Sequence, residues 1–412
     1  MRIKIKRARA KQSHDRGIDK AISDSAIQLV KAQGTLKPRL LIVDHDVRAF
    51  IMHRLELAQF LHKAGYEVHV ALPHDPQLNA VSTECFAVHG YFLSRQSTQP
   101  SNEMRCFYAL YTLYRKIQPA LVHHFGLKPV LYGGCAARVA GIPAAVSTFT
   151  GLGYLFRANT RSAWFLTKLV SGGLKFSFAH QNCKVIVQNL DDLKSLFQNG
   201  VAIAHKASLI KGSGVNISVF IPQPEPAGVP VIMMAARLIW EKGVKEFVEV
   251  ARILQARGAQ ARFLLVGEPD SNHPSAVPLK QLEYWHACGY VEWVGWSYNM
   301  PELMKQCHVF CLPSYYGEGV PCVLLEAAAT GRPIITTDSV GCRDVVRHGH
   351  NGLIVPAKDV AALAEAINYL IDDSQLRSLM GKRSRKIINK EFSLNQVIKE
   401  NKAIYTSLLK VS

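Results

Sequence analysis

Two glutamates, Glu318 and Glu326, stand eight positions apart in GEGVPCVLLEAAATGRPIITTD, residues 317–338. Pro321 suits the first turn of a helix, where a missing N–H costs nothing. CVLLEAAA after it is strongly helix-forming. Gly331 and Pro333 stop that helix, and PIITT reads as the next buried strand. Glu318 then sits in a glycine-flanked loop at a helix N-terminus, and Glu326 projects from the helix more than one turn in. Free N–H groups there favour an anion, and carboxylates accept from sugar hydroxyls. A ligand with phosphates and hydroxyls, a sugar nucleotide, satisfies both. An amphipathic helix with two solvated glutamates is the competing reading.

Upstream, AARLIWEKGVKEF (235–247) places Arg237 at a strand end and Lys242 in the loop before a helix, with Gly243 beside it. An arginine fork and a lysine point charge at a strand-to-helix turn suit a diphosphate. VHHFGLKP (122–129) brings His123, His124 and Lys128 to a strand end where a cleft would open. A catalytic or sugar-facing role and a structural role weigh equally for the histidines. VGW (294–296) could set Gly295 backbone groups against a nucleobase, or be an ordinary turn. KGSGVN (211–216) could approach a phosphate or serve as a hinge. Asp44 and Asp46 form an Asp-x-Asp, a pattern able to hold a divalent metal, but far in sequence from the basic pair. Asp191/Asp192 read as a helix cap and Asp372/Asp373 as a helix end.

The elements that position these residues alternate between strand and helix. RLLIVD (39–44), YEVHVALP (66–73), PALVHHF (119–125), PAAVSTF (143–149), KVIVQNL (184–190) and ASLIKGSG (207–214) read as strands, with helices over 50–65 and 129–140 between them. After NISVFIPQPEPAGVP (216–230), a proline-rich linker, the rhythm restarts. Its strands are VIMMAAR, ARFLLVG, VEWVG, HVFCLPS, PIITT and GLIVP, with helices at 241–257, 300–306 and 359–373. Such alternation means parallel sheets with crossovers. Two Rossmann-like domains, 37–215 and 231–394, would face each other across a cleft, ligands binding beyond the carboxyl ends of the strands.

Composition limits the alternatives. With 412 residues, 48% hydrophobic and 19% charged, the chain is globular and longer than one core. No apolar run approaches the 18 residues of a membrane span. The N-terminus, MRIKIKRARAKQ, lacks the apolar core of a secretory signal. Nine cysteines without a CxxC argue for reduced thiols in a cytoplasmic setting. His308 has no companions at metal spacing. The net charge of +18 divides as +6 over residues 1–36, +10 over 37–222 and +2 over 223–412. Residues 1–36 read as a basic arm outside the fold. Nucleic acid, an anionic membrane and a phosphate-bearing substrate could each use this excess. No nucleic-acid-binding motif appears. AWFLTKLVSGGLKFSFAH (163–180), aromatic and cationic without acids, could dip into a lipid interface or be a core helix with basic edges.

Glu318, Glu326, Arg237 and Lys242 together resemble the E-x7-E signature of the GT-B retaining glycosyltransferases of family 4 (glycosyltransferase group 1), over about residues 39–410. HHFGLKPVLYGGCAARVAGIP (123–143), STFTGLGYLF (147–156) and VIVQNLDDLKSLF (185–197) are similar to a bacterial subgroup acting on undecaprenyl-diphosphate-linked saccharides, N-acetylgalactosaminyltransferases among them. The resemblance implies a GT-B fold whose last helix, 395–412, crosses back to the first domain. It implies a nucleotide-sugar donor, a UDP-linked hexose or N-acetylhexosamine. Arg237 and Lys242 would hold the diphosphate, Glu318 with the Gly319 and Val320 backbone the sugar, and Glu326 the ribose. Gly295 and Leu325 complete the implied donor set. Lys242, Arg237, Glu318, His123 and His124 form the implied catalytic set. The family's His-x-His ends here in Phe125, with His124 the possible substitute. In place of the family's glycine-rich loop stands DHDVRAFIMHR, whose His53 and Arg54, with Lys128, would meet the acceptor. No cofactor and no metal are implied. The partners expected are the nucleotide-sugar, a lipid-linked saccharide and an anionic membrane face, with no nucleic acid. The enzyme would work in the cytoplasm, peripheral to the inner membrane face. A sugar-nucleotide epimerase of the same fold, or a non-catalytic nucleotide-sugar or membrane-binding module, is the alternative.

Overall fold

The computed structural model describes residues 37–410 apart from 82–84, 96, 98, 153–160, 202–203 and 271–272. The expected basic arm, 1–36, lies outside the described residues, as does part of the 147–156 motif. The first domain runs β1 (Arg39–Asp44), α1 (Val47–His53), α2 (Leu55–Lys63), β2 (Glu67–Pro73), β3 (Ala87–Tyr91), α3 (Pro100–Ile117) and β4 (Leu121–Phe125). It continues through α4 (Gly134–Ala140), β5 (Ala144–Thr148), α5 (Arg161–Phe178), β6 (Cys183–Val187), α6 (Leu190–Gln198) and β7 (Ala207–Leu209). The second contains β8 (Val231–Ala235), α7 (Val244–Ala256), β9 (Arg262–Val266), α8 (Leu279–Ala287), β10 (Glu292–Trp293), α9 (Met300–Gln306) and β11 (Val309–Leu312). It closes with α10 (Cys322–Ala329), β12 (Ile334–Thr337), α11 (Cys342–Val345), β13 (Gly352–Val355), α12 (Val360–Asp372) and α13 (Ser374–Glu391). Helix α14 (Leu394–Leu409) follows.

Both sheets are parallel, ordered β3-β2-β1-β4-β5-β6-β7 and β10-β9-β8-β11-β12-β13. Central strands such as LVHHF and VIMMA are buried along their whole length, as strands covered by helices on both faces must be. Strand order reverses between β1 and β4, and between β8 and β11. The loops leaving those strands therefore open the two crevices that face the cleft.

Local structure sharpens several readings. The helix expected over 50–65 breaks at Arg54, whose φ of −129° and ψ of −18° end α1 and begin α2. The helix over 129–140 opens with a wide π turn at Pro129–Gly133. The strand expected over 207–214 is only three residues long. Pro321 is the N-cap of α10 and not its first residue. Asn189, not Asp191 or Asp192, caps α6, accepting from Asp192 N at 2.7 Å. Asp373 caps α13. Strand β3 and helix α3 escaped the sequence reading because their mixed polar character shows no clean period.

The proline-rich segment after residue 215 is not loose. Arg385 donates to the Phe220 and Ile217 carbonyls (2.6 and 2.9 Å), Arg332 to Pro224 O (3.3 Å), and Arg377 forks onto Glu225 (2.8 and 3.0 Å). These bonds fasten the linker to the second domain. The chain instead changes domain at two adjacent points. Val215 N donates to Phe392 O and Leu394 N to Val215 O, both at 3.0 Å. From there α14 returns to the first domain, where Val397, Ile398, Tyr405 and Leu408 join the core of Leu40, Ile42 and Val146.

Candidate active site

Lys242 follows β8 and Glu318 follows β11, so the pairing of those strands brings the two side chains into contact. A short 3-10 turn, Trp240–Lys242, ends at Gly243 with φ +82°. A Cβ there would meet the Pro313 carbonyl carbon at 2.7 Å, so only glycine lets the two loops touch. The Lys242 ammonium ion-pairs with one Glu318 oxygen, and Ser314 Oγ donates to the other at 3.0 Å. Lys242 Nζ also lies 5.6 Å from the Tyr316 ring centre. Arg237 donates from Nη1 to Asp270 at 3.0 Å and keeps about two fifths of its side chain exposed to the cleft.

Glu326 is half-buried, and burial pushes its carboxyl up to about 7, with His53 partly opposing. His53 belongs to the acceptor-side domain, and burial together with neighbouring Arg54 lowers it to about 4. Glu326 and His53 thus influence each other's charge from opposite domains.

Across the cleft the first domain grips the loop of Glu318. Asn189 donates from Nδ2 to Glu318 O and Gly319 O (3.3 and 3.4 Å), and Val320 N donates to Gln188 Oε1 (3.2 Å). Arg343 bridges to Asp191 at 2.8 Å. Neither Gln188, Asn189 nor Asp270 was singled out from sequence. Two polar residues ending an apolar strand were the available signal.

Other expected site residues are held by partners of their own. His123 and His124 are fully buried, not at a cleft mouth. His123 bonds Tyr405 OH through Nδ1 and Thr148 Oγ1 through Nε2, both at 2.6 Å, and burial holds it well below the usual imidazole range. His124 meets Tyr114 OH at 2.9 Å and is lowered to about 3 by burial. Strand β4 is central, so alternate faces both point into protein. Lys128 spends its three donors on Ser94 O, Ser97 O and Glu103 (2.6–2.7 Å) and ties a loop to α3. Arg54 is buried with its guanidinium 4.3 Å from the Phe125 ring centre, lining a small cavity with His53 and Gln188. Leu325 is a core residue, and it and Val320 pack on Gly212. Gly295, at φ +71°, accepts from Gly267 N at 2.7 Å, next to Trp296. Arg48 of the first domain reaches over that Trp296 ring at 5.2 Å. Asp44 bonds His45, while Asp46 caps α1 and pairs with Arg95, so the two carboxylates do different work. Among the described residues no three His, Cys, Asp or Glu side chains converge as a metal site.

Two parallel α/β domains, a cleft at both switch points and an Arg–Lys–Glu–Glu constellation on the second domain define a GT-B glycosyltransferase. Two family models match in tandem: "Glycosyl transferase 4-like" over residues 40–189 and "Glycosyl transferases group 1" over 219–387. The chain belongs to this glycosyltransferase family. It is 29% identical over 361 residues to the N,N'-diacetylbacillosaminyl-diphospho-undecaprenol alpha-1,3-N-acetylgalactosaminyltransferase of Campylobacter jejuni, covering 84% of this chain and 93% of the relative. It is 25% identical over 326 residues to the UDP-Gal:alpha-D-GlcNAc-diphosphoundecaprenol alpha-1,3-galactosyltransferase of Escherichia coli, covering 74% of this chain and 80% of that one. The sucrose-phosphate synthase structure from Thermosynechococcus elongatus shares the fold, with TM-score 0.75, 21% identity and coverage of 92% of this chain and all of that one.

Proposed function

We propose that the enzyme transfers a hexose or N-acetylhexosamine from a UDP-sugar to a saccharide carried on undecaprenyl diphosphate, with retention and without a metal. The contact of Lys242 with Glu318 carries the reading, with Arg237 and Glu326 around it. Two cations at strand ends match a diphosphate, and two carboxylates match sugar and ribose hydroxyls. The named activities of the two relatives, both on diphospho-undecaprenol saccharides, support the acceptor class.

In this reading the acceptor hydroxyl attacks on the face from which the nucleotide departs. Arg237 and Lys242 stabilise the negative charge growing on the leaving diphosphate, an electrostatic contribution aimed at the transition state. The departing phosphate takes the acceptor proton, so no separate base is required. Glu318 orients the sugar, and the Gly319 and Val320 N–H groups are the neighbouring donors.

Helix α5 supplies the contact with the membrane that such an acceptor demands. Trp164, Phe165 and Leu169 are each more than half exposed, Leu166 and Phe176 nearly so. Lys168 flanks Trp164, and Arg138 lies over Phe176 at 4.3 Å. Among the described residues no helix is long and apolar enough to cross a membrane. An amphipathic face with basic edges lies in the interface plane.

The deciding experiment screens UDP-GalNAc, UDP-GlcNAc, UDP-Gal, UDP-Glc and GDP-mannose by thermal shift, then assays transfer to undecaprenyl-diphosphate saccharides. One UDP-sugar should stabilise the fold and be consumed with release of UDP. Binding without transfer would favour a non-catalytic module, and interconversion of the sugar without an acceptor would favour an epimerase.

A further inference from the structure

The two backbone donors of the Glu318 loop are already taken. Gly319 N donates to the Thr150 carbonyl and Val320 N to Gln188 Oε1, both at 3.2 Å. Thr150 follows β5 and Gln188 follows β6, so both acceptors come from the opposite domain. Gln188 is 4% exposed, and its Nε2 donates to Ser213 Oγ at 3.2 Å, so the carboxamide is fixed at both ends. The approach is close. A Cβ on Gly319 would stand 2.7 Å from Thr150 O, and one on Gly151 would stand 2.6 Å from Gly319 N. Glycine at both positions permits this backbone-to-backbone contact.

A backbone N–H offers one proton. While the Gln188 oxygen holds the proton of Val320, an oxygen of the transferred sugar cannot. We propose that Gln188 is a positioning residue of the donor site, holding the place of a sugar oxygen until the donor binds and setting donor affinity by competition for the Val320 N–H. This rests on the donor reading above. Loading the hexosyl group exchanges one neutral hydrogen bond for another, so the competition is close in energy and sensitive to the side chain at 188. UDP, which carries no sugar, does not compete. The Asn189 bonds go to the carbonyls of Glu318 and Gly319, which a sugar acceptor of N–H protons does not need, so they keep the loop in place during the exchange.

The test uses the full-length enzyme with Gln188→Ala and Gln188→Glu at pH 8, titrated by calorimetry with UDP and with UDP-GalNAc, UDP-GlcNAc, UDP-Gal and UDP-Glc. Gln188→Ala frees the N–H and should tighten the bound UDP-sugar about fivefold, the equivalent of one ordinary hydrogen bond. Gln188→Glu offers a charged, stronger acceptor and should weaken it by a similar factor. UDP should bind all three proteins alike. Shifts of the same sign in both variants, or equal shifts for UDP, overturn the proposal. Amide hydrogen exchange on the ligand-free proteins reads the contact separately. The Val320 amide should exchange slowly in the wild type and in Gln188→Glu, and faster in Gln188→Ala, while the Gly319 amide, held by Thr150 O, stays slow in all three. Fast exchange in the wild type overturns the contact itself. Should no UDP-sugar bind the wild type, the donor reading fails and the competition with it, whatever the exchange shows.

Discussion

Lys242 and Glu318 hold each other in the cleft of the second domain, with only 10% and 14% of their side chains exposed. Each neutralises the other. A bound diphosphate would draw Lys242 away and leave the Glu318 carboxylate to accept from sugar hydroxyls. In the proposed reading, one pair would thus link the phosphate half of the donor to its sugar half.

Lys242→Ala should lower kcat by about 10²–10³, the scale of losing one charge stabiliser of a transition state. Because Glu318 then loses its partner, stability should fall by about 1–3 kcal/mol. The double variant Lys242→Ala/Glu318→Ala should recover part of that loss without recovering rate. Urea denaturation and initial-rate assays separate the two effects. A Lys242→Ala enzyme turning over near the wild-type rate would sink the assignment.

Glu326 gives a pH dependence. Its carboxyl stands near 7 because burial disfavours the charge, while ribose hydroxyls donate to the charged form. Donor binding should therefore release a proton, and donor affinity should fall about tenfold between pH 8 and pH 6. Glu326→Gln should raise the donor KM and flatten that dependence. The sign for stability is opposite. A carboxyl raised from 4.5 to about 7 in the fold favours folding most below pH 4.5, and that contribution is lost as pH rises through 7. Glu326→Gln should accordingly have a higher Tm than wild type at pH 8 and a similar Tm at pH 4.5.

His123 is enclosed between β4 and α14, bonded to Tyr405 and Thr148, and this placement points to a structural role. Tyr405→Phe removes one partner of a buried imidazole and should cost about 1–3 kcal/mol in denaturant titration, with kcat and both KM values within about twofold of wild type at 25 °C. Since burial depresses His123, its contribution to stability is present above pH 6.5 and is lost as pH falls below it. A large kcat loss in Tyr405→Phe with an unchanged unfolding curve would return His123 to the chemistry.

Trp164→Glu/Phe165→Glu/Leu169→Glu should abolish sedimentation with anionic vesicles. Burying each such side chain is worth about 1.5–3 kcal/mol, so the triple change should weaken membrane binding by at least about 10³-fold. All three are exposed, so the melting curve should not move. Transfer to a lipid acceptor in vesicles should drop, while transfer to a short, water-soluble acceptor analogue should persist.

Chelation tests the proposed independence from metal. Prolonged dialysis against EDTA should leave the rate unchanged within about 20% by the same assay. Loss of activity restored by Mg²⁺ or Mn²⁺ would assign the diphosphate charge to an ion instead.

By itself, the sequence determined the two parallel α/β domains and the spacing of Arg237, Lys242, Glu318 and Glu326, while the return of the last helix came from the family resemblance. The first two are local or periodic. Apolar runs with glycine and proline stops define strands and helices, and charged residues at strand-to-helix turns declare themselves within a few positions. The direct Lys242–Glu318 contact needed the β8–β11 pairing, which no local pattern encodes. The fate of VHHF was decided by tertiary structure too. Only the position of β4 at the centre of its sheet, under α14 on one face and α3 on the other, shows that both histidines are enclosed. Arg54, Lys128 and Leu325 changed meaning for the same reason: burial and partners come from segments distant in the chain. The grip of Gln188, Asn189 and Thr150 on the Glu318 loop belongs wholly to the approach of one domain to the other. Sequence periodicity describes how one element buries its own faces. It carries no record of which backbone N–H a second domain will claim.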